Sequence, residues 1–287
     1  MNARKFVLCL CLLVVTFFSY YSDLNAAPRS KVRAKAAILM NISSGSILYA
    51  KNSNKPIQPA SLTKILSLYL VYEAITQGRI HLKDMVKIST DAQLTEGSSM
   101  YLVDETEVGL EDLIKGMAVV SANDASVAVA EHIGGSVRGF MDMMNAKAQK
   151  LGMKNSHFIN PTGLPAKGQV TTARDILKLS AAYIRDFPEA LQLHSLPEYT
   201  YRDITQPNSN TLLKKCGDVD GLKTGFIRAS GFHLVATAKR GNTRLIAVVM
   251  GEKNPKIRES EAIKLLEQGF RTKGTKNKVS LSAKSHS

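Results

Sequence analysis

The sequence predicts an α/β fold of the α+β type, in which both ends of the chain form one antiparallel sheet and a helical lobe is inserted between them. Short β-rich runs lie near the two ends, whereas the middle of the chain carries apolar residues at helical spacing. Strands and helices that are segregated in this way favour an antiparallel sheet over alternating βαβ units. The chain has 287 residues, 44% of them apolar, which is enough to bury one large core.

The N-terminal contribution to the sheet is predicted to be a hairpin. Residues 35–40 and 47–50 are two short apolar runs on either side of a Ser-Ser-Gly turn. After a proline-containing break, a helix is expected to open at Ala60 or Ser61 and to end at about Gln77, because a glycine follows.

The middle of the chain is predicted to be helical, and the end returns to strands. Apolar periodicity and glycine stops predict helices over residues 111–119, 125–133, 140–151 and 172–187. Three β-rich runs over residues 221–226, 232–239 and 244–250 complete the sheet, and a closing helix is expected over residues 260–270.

Both ends of the chain are predicted to lie outside the folded domain, which is expected over residues 27–271. Residues 1–26 resemble a secretory signal peptide, with a basic start, an apolar run and small residues before the cleavage site. The apolar run is shorter than the ~20 residues of a membrane span, and an uncleaved N-terminal anchor is the alternative. Residues 272–287 are predicted to be a basic disordered tail, so no C-terminal membrane anchor is evident.

Composition excludes several classes of function. The net charge of +14 suits an anionic partner, but the chain has no Trp and no RNA-binding signature, so nucleic-acid binding is not expected. The six histidines lack metal-ligand spacing, and neither a metal nor another cofactor is expected. Without the signal peptide only Cys216 remains, so no intramolecular disulfide is possible. It is expected to be a packed side chain, although adjoining lysines would favour a reactive thiolate.

The first candidate motif is Ser61-Leu62-Thr63-Lys64, at the start of the first predicted helix. A spacing of three residues places Ser61 and Lys64 on one helix face, with Ser61 at the positive end of the helix dipole. A serine hydroxyl is a weak nucleophile unless an adjacent base removes its proton. Lys64 can act as that base if burial and a nearby cation such as Lys223 lower its pKa.

Two further motifs supply polar groups. Ser121-Ala122-Asn123 lies at a break between helices, where it can cap the next helix together with Asp124, or relay a proton and bind an amide. Lys223-Thr224-Gly225 lies in a predicted strand, where Lys223 and Thr224 can hold a terminal carboxylate. Gly225 allows a peptide backbone to approach the strand closely.

Together these motifs resemble those of the low-molecular-mass penicillin-binding proteins, the D-alanyl-D-alanine carboxypeptidases of peptidase family S11. The resemblance extends from about residue 35 to residue 270 and rests on four segments: Pro59–Lys64, Ser121–Ala125, Asn160–Leu164 and Asp220–Gly225. It implies a β-lactamase/transpeptidase-like fold and a serine D,D-peptidase catalytic domain over residues 27–271.

The resemblance also implies a role for each matching residue. Ser61 would form the acyl-enzyme, Lys64 would be its general base, and Ser121 would relay the proton. Asn123 would hold the substrate amide, and Lys223 and Thr224 would bind the terminal carboxylate. Backbone N–H groups of Ser61 and Phe226 would form the oxyanion hole, and Arg258 matches a family arginine near the carboxylate.

The implied substrate is a peptidoglycan stem peptide that ends in D-Ala-D-Ala, and the implied inhibitors are β-lactam antibiotics. The implied location of the exported protein is the periplasm or cell envelope. Many members carry a β-rich second domain and a C-terminal amphipathic membrane helix, and neither is expected over residues 1–287. Phe226 and Arg228 replace small polar residues found after the third motif in some members, and two interpretations are open: they change substrate preference, or they are packing and surface residues.

Three alternatives stay open at this point. A D,D-endopeptidase that cuts peptidoglycan cross-links would use the same residues. A catalytically dead module that binds cell wall or senses β-lactams would also fit the chain. A class A β-lactamase is disfavoured, because residues 154–185 contain no glutamate to support deacylation.

Overall fold

The structure is a computed structural model that describes residues 32–282, with side chains described to residue 271. The predicted signal peptide, including Cys9 and Cys11, and the last five residues lie outside this part. The strands are β1 Ala36–Asn41, β2 Ser46–Lys51, β3 Met85–Lys87, β4 Glu107–Gly109, β5 Glu198–Tyr201, β6 Ile204–Pro207, β7 Val219–Ile227, β8 Gly231–Arg240 and β9 Thr243–Glu252. The helices are α1 Thr63–Thr76, α2 Thr90–Gln93, α3 Leu110–Lys115, α4 Asn123–Gly134, α5 Val137–Lys150, α6 Ala173–Asp186, α7 Ala190–His194, α8 Leu212–Lys215 and α9 Pro255–Ser282.

Both ends of the described chain build one five-stranded antiparallel sheet, as the sequence predicts. Its strand order is β2-β1-β9-β8-β7, so the N-terminal hairpin pairs with the last strand and β7 lies at an edge. The helices α1 to α8 and two small two-stranded sheets, β3–β4 and β5–β6, fall between β2 and β7 along the chain. The predicted fold class is therefore confirmed.

Both faces of the sheet are buried, which explains the continuous apolar runs in β1 and β9. Side chains alternate along a strand. Ile38 of β1 accordingly packs into the core shared with the helical lobe, whereas Leu39 packs into a second core with α9. The helix α1 lies inside the lobe with nearly all of its first two turns buried, since apolar residues surround its axis.

Local signals set several boundaries of the helices. Thr172 caps α6 by accepting a hydrogen bond from the N–H of Asp175, as its position before the helix predicts. Gly78 adopts a positive φ of 67° just after α1, a conformation that glycine tolerates without strain. The chain between Gly116 and Val120 forms a π-helical turn, which the apolar periodicity does not distinguish from the preceding α3.

The closing helix is longer than the sequence predicts. The helix α9 begins at Pro255 and ends at Ser282, beyond the predicted end at residue 270, and enters the segment predicted to be a disordered tail. Proline is well suited to the first helical position, and no proline follows to interrupt the hydrogen-bond ladder. No helix in the described part of the chain combines the length and apolar character that a membrane span requires.

Candidate active site

Ser61 lies in a tight turn that leads directly into α1. Ala60–Leu62 forms one turn of 3₁₀-helix, and this turn packs against the edge strand β7. Ala60 has a φ of +49°, an uncommon conformation for a residue with a side chain. Gly163 holds the turn from the other side, since a Cβ at this glycine would lie 1.9 Å from the carbonyl oxygen of Ala60. The backbone around Ser61 is thus held between β7 and the loop that contains Gly163.

Lys64 is completely buried next to Ser61. Its Nζ lies 3.3 Å from Ser61 Oγ, 2.6 Å from Asn123 Oδ1 and 2.8 Å from the carbonyl oxygen of Thr162. A neutral amine has two N–H donors and one lone pair. The two carbonyl oxygens can therefore accept its N–H groups, while the lone pair faces the Ser61 hydroxyl.

The surroundings of Lys64 favour this neutral form. Burial lowers its pKa well below the ordinary 10.5, the charge of Lys223 lowers it further, and the charge of Asp124 partly opposes the shift. An uncharged amine beside a serine hydroxyl is chemically able to accept the hydroxyl proton. The arrangement can thus generate a nucleophile at Ser61.

Ser121 and Asn123 reach the site from the junction of the π-helical turn and α4. Ser121 ends that turn in the left-handed region, with a φ of +68°, and its side chain is almost fully buried. Asn123 Nδ2 donates to the carbonyl oxygen of Glu96 at 2.6 Å, while Oδ1 faces Lys64. Asn123 therefore ties Lys64 to the segment around Ser98.

Asp124 does not cap α4, although its place in the sequence allowed that interpretation. The N-cap residue is Ala122, whose side chain makes no capping hydrogen bond, whereas Asp124 lies within the first turn and its Oδ1 accepts from the N–H of Ala125. The buried carboxylate of Asp124 also accepts hydrogen bonds from Ser99 Oγ and from the N–H groups of Met100 and Leu102. It holds the segment that forms one wall of the site.

The third motif lies in the middle of the edge strand β7. Lys223 is 1% exposed and its Nζ donates to the carbonyl oxygen of Thr224 at 3.2 Å. Burial, and then the charge of Arg258, lower the pKa of Lys223 to about 7. Gly225 passes so close to the Ser61 turn that a Cβ would lie 3.1 Å from Ser61 N. A larger residue there would push β7 away from Ser61.

A cavity of about 460 Å³ brings the predicted residues together. Its lining includes Ser61, Ser121, Asn123, Thr224, Gly225, Phe226 and Arg258, whereas Lys64 and Lys223 lie buried behind it. Arg228 is exposed and is not part of this lining.

Apart from three residues of the segment Asn160–Leu164, the remaining lining residues were not indicated by the sequence. The remaining lining residues are Gly97, Ser98, Thr162, Gly163, Leu164, Ser209, Thr211, Ile227, Phe232, Pro255 and Glu259. The Pro-Thr-Gly turn that contains Thr162 and Gly163 was a visible signal in the sequence. Ser209 and Thr211 belong to an irregular segment with no pattern that points to a site.

Arg258 lies in the first turn of α9 and is almost fully buried at the cavity wall. Its Nη2 pairs with Glu259 Oε1 at 3.1 Å, and Glu259 also accepts a hydrogen bond from Thr211 Oγ1 at 2.6 Å. The Nε of Arg258 has no hydrogen-bond partner among the described residues. A buried donor without a partner is costly, so this group is suited to an incoming anion.

Residues suited to metal binding do not cluster in the described part of the chain. Cys216 packs partly against the core between the sheet and α9. Burial, with the charges of Glu267 and Asp218, raises the pKa of its thiol despite the opposing effect of Lys215. These surroundings favour the packed thiol over the reactive thiolate.

The pKa of Lys223 gives the first prediction. Since Lys223 is charged below about pH 7 and neutral above it, its attraction for a substrate carboxylate weakens as the pH rises. We expect the second-order rate constant for acylation by benzylpenicillin to fall on the alkaline side. Stopped-flow measurement between pH 6 and pH 10 would record this fall.

Lys223→Arg is the informative variant for this prediction, because an arginine cannot lose its proton in this range. The alkaline fall should flatten or move to higher pH in Lys223→Arg. An unchanged alkaline limb in that variant would show that another group controls it.

The sheet, the inserted helical lobe and the cavity at the Ser61 turn define a protein of the penicillin-binding and transpeptidase fold. The family model "Peptidase_S11: D-alanyl-D-alanine carboxypeptidase" matches residues 23–254, and the chain belongs to this family.

Individual relatives agree with this assignment. D-alanyl-D-alanine carboxypeptidase DacC of Escherichia coli K12 is 44% identical over 247 residues, which cover 84% of this chain and 62% of DacC. The chain thus spans less than two thirds of the length of this relative. A more distant relative, D-alanyl-D-alanine endopeptidase of E. coli K12, is 28% identical and is covered to 74%.

Solved structures share the fold. Penicillin binding protein 5 from Haemophilus influenzae superposes with a TM-score of 0.83 at 43% identity, covering 86% of this chain and 73% of that chain. Penicillin-Binding Protein D2 from Listeria monocytogenes in the ampicillin-bound form gives a TM-score of 0.77 at 30% identity, covering 85% and 100%.

Proposed function

We propose that this chain is a serine-type D-Ala-D-Ala carboxypeptidase that removes the terminal D-alanine from peptidoglycan stem pentapeptides through an acyl-enzyme on Ser61. The observation that carries the proposal is the buried Lys64 amine 3.3 Å from Ser61 Oγ. Ser61 lines a cavity that is also lined by the buried Arg258. The family assignment and the D-alanyl-D-alanine carboxypeptidases among the relatives support the substrate.

Acylation begins when Lys64 Nζ accepts the proton of the Ser61 hydroxyl. The Ser61 oxygen then attacks the carbonyl carbon of the penultimate D-alanine, and backbone N–H groups of Ser61 and Phe226 stabilise the oxyanion. As the tetrahedral intermediate collapses, the C–N bond breaks and Ser121 passes the proton from Lys64 to the leaving nitrogen. Free D-alanine departs and leaves an ester on Ser61.

Deacylation reverses these roles. Lys64 accepts a proton from water, the resulting hydroxide attacks the ester carbonyl, and Ser61 recovers its proton. Throughout the first half of the cycle, Thr224 and Arg258 hold the terminal carboxylate, and the positive charge of the buried Lys223 attracts it from behind the cavity. Asn123 orients Lys64 and contacts the substrate amide.

The same site would react with β-lactam antibiotics and then release them slowly. Among the residues that line the cavity, Glu259 is the one carboxylate, and it is ion-paired with Lys215 and Arg258. A carboxylate held in this way is a poor base for hydrolysis of a penicilloyl ester. The opened β-lactam, unlike released D-alanine, also stays attached to the acyl group and hinders the approach of water to Lys64, so an inhibitory, long-lived adduct on Ser61 follows.

The proposed place of action is the periplasm or cell envelope, reached by means of the predicted signal peptide over residues 1–26 and its removal. This location agrees with a peptidoglycan substrate. Recovery of the processed chain from the periplasmic fraction would support it, and a chain that keeps its N-terminus in the cytoplasm would contradict it.

The deciding experiment is product analysis on defined muropeptides. The purified mature chain should convert a pentapeptide stem into a tetrapeptide and free D-alanine, detected by mass spectrometry. Cross-linked dimers should be cut much more slowly, and release of monomers as the main reaction would instead identify an endopeptidase. No D-alanine release together with no penicillin adduct would refute a D,D-peptidase and leave a catalytically dead module.

A further inference from the structure

A stacked aromatic pair, with one ring exposed and the other half-buried, lies on the wall of the cavity that contains the proposed carboxylate site. Phe226 of β7 and Phe232 of β8 face each other directly across the two strands. Their rings stack with centroids 4.1 Å apart and an interplanar angle of 25°. Phe226 is nevertheless 50% exposed, one of the most exposed large apolar side chains of the described residues. We call Phe226 and Phe232 the aromatic wall.

The position of the aromatic wall relates it to one part of a bound peptide. Side chains two residues apart on a strand lie on the same face, so Phe226 follows Thr224 along the face that borders the cavity. Arg258 and Pro255 line the same cavity. A peptide whose terminal carboxylate is held by Thr224 and Arg258 therefore places its last Cα beside Phe226.

The cavity of about 460 Å³ is large enough to take a side chain on that Cα. Its lining also includes two small residues, Ser209 and Thr211. The methyl group of alanine would cover little of an aromatic ring that is half exposed. A larger apolar side chain would remove more of the ring from water, which is favourable in proportion to the area covered.

We propose that the aromatic wall is a specificity subsite for the side chain of the C-terminal, leaving D-residue, and that it favours apolar side chains larger than methyl. This inference rests on the proposed function, because it requires Thr224 and Arg258 to hold the carboxylate of a peptide cleaved at Ser61. The substrate class of the site thereby widens from D-Ala-D-Ala to stems that end in D-Ala followed by an apolar D-residue.

The test compares three synthetic stems that differ in the last residue alone: D-Ala, D-Leu and D-Asn. The side chains of leucine and asparagine have the same number of heavy atoms and similar shape, so their ratio reports polarity rather than size. Release of the free D-amino acid is followed by mass spectrometry. The unaltered chain should show a kcat/KM about threefold to tenfold higher for D-Leu than for D-Asn, less than the effect of a fully enclosed pocket.

Variants assign the preference to the aromatic wall. In Phe226→Ala the D-Leu to D-Asn ratio should fall to about one, in Phe232→Ala it should decrease, and in Phe226→Leu it should be largely kept. Met85→Ala is the matched control, since Met85 is 55% exposed but does not line the cavity, and its ratio should equal that of the unaltered chain. Binding of one penicillin per chain verifies that each variant is folded.

The outcomes separate the two proposals. Equal rates for D-Leu and D-Asn in the unaltered chain, or the same ratio in Phe226→Ala, would overturn the inference while D-alanine release upholds the peptidase. Absence of D-alanine release and of a penicillin adduct in the unaltered chain would remove the proposed function, and the subsite with it.

Discussion

Ser61→Ala is expected to abolish covalent labelling by penicillin and to lower D-alanine release by about 10⁶-fold. Among the described serine side chains, Ser61 is the one whose hydroxyl lies within hydrogen-bond distance of the buried Lys64 amine, at 3.3 Å. Removing this hydroxyl removes the atom that forms the ester. Intact-mass spectrometry after incubation with benzylpenicillin measures the labelling, and the pentapeptide assay measures the turnover.

Ser43→Ala provides the control for this experiment. Ser43 is an exposed serine whose hydroxyl donates to the carbonyl oxygen of Asn242. Neither residue lines the cavity at Ser61. It should retain full labelling and full turnover. Penicillin labelling that persists in Ser61→Ala would place the nucleophile elsewhere and would refute the mechanism.

Lys64→Met is expected to reduce the acylation rate by about 10²-fold to 10⁴-fold, the usual contribution of a positioned general base. Methionine resembles lysine in length and is at home in a buried site, so the change removes the amine with little change in volume. Lys64→Arg should be comparably slow, because a guanidinium remains protonated and cannot accept the Ser61 proton. Time-resolved mass spectrometry of the penicilloyl adduct gives the rates.

The same variant should change how stability depends on pH. The native pKa of Lys64 lies well below 10.5, so between these two values the unfolded chain binds more protons than the folded chain. The free energy of unfolding should therefore rise with pH across this window in the unaltered chain. Lys223 contributes in the same direction between about pH 7 and pH 10.5. Lys64→Met should flatten the rise, which chemical denaturation at several pH values would show.

Lys87→Met is the matched control for both measurements. Lys87 is an exposed lysine at the end of β3 that pairs with Glu105, which lies just before β4. Its loss should alter neither the acylation rate nor the slope of stability against pH. A Lys64→Met variant that acylates as fast as Lys87→Met would show that another group deprotonates Ser61.

Much of the fold was predictable because its signals are local. Turn chemistry identified the N-terminal hairpin, and apolar periodicity identified α1, α4, α5 and α6 to within a few residues. The two-stranded sheets β3–β4 and β5–β6 were not predicted. Strands of three or four residues are too short for their apolar periodicity to be detected. The end of α9 was also missed, because a polar, basic stretch lacks the apolar stripe that signals a helix.

The candidate site was predictable in its chemistry more than in its geometry. The closeness of Ser61 and Lys64 follows from their separation of three positions at one helix start, and the structure retains it. The proposal that Asn123 orients Lys64 agrees with the 2.6 Å contact between them. The contact with Thr162, in contrast, joins residues 98 positions apart, and nothing in either local sequence indicates it.

The sequence alone therefore determined which reactive groups the chain carries, their order, and the strands and helices that present them. The tertiary structure alone decided that Lys64 and Lys223 are buried, that Arg258 reaches the cavity from the far end of the chain, and that Phe226 stays half exposed. The physical reason is that a pKa and an open cavity wall depend on how completely distant segments exclude water. Sequence spacing specifies the groups, whereas packing between both ends of the chain and the helical lobe sets their protonation and their access to substrate.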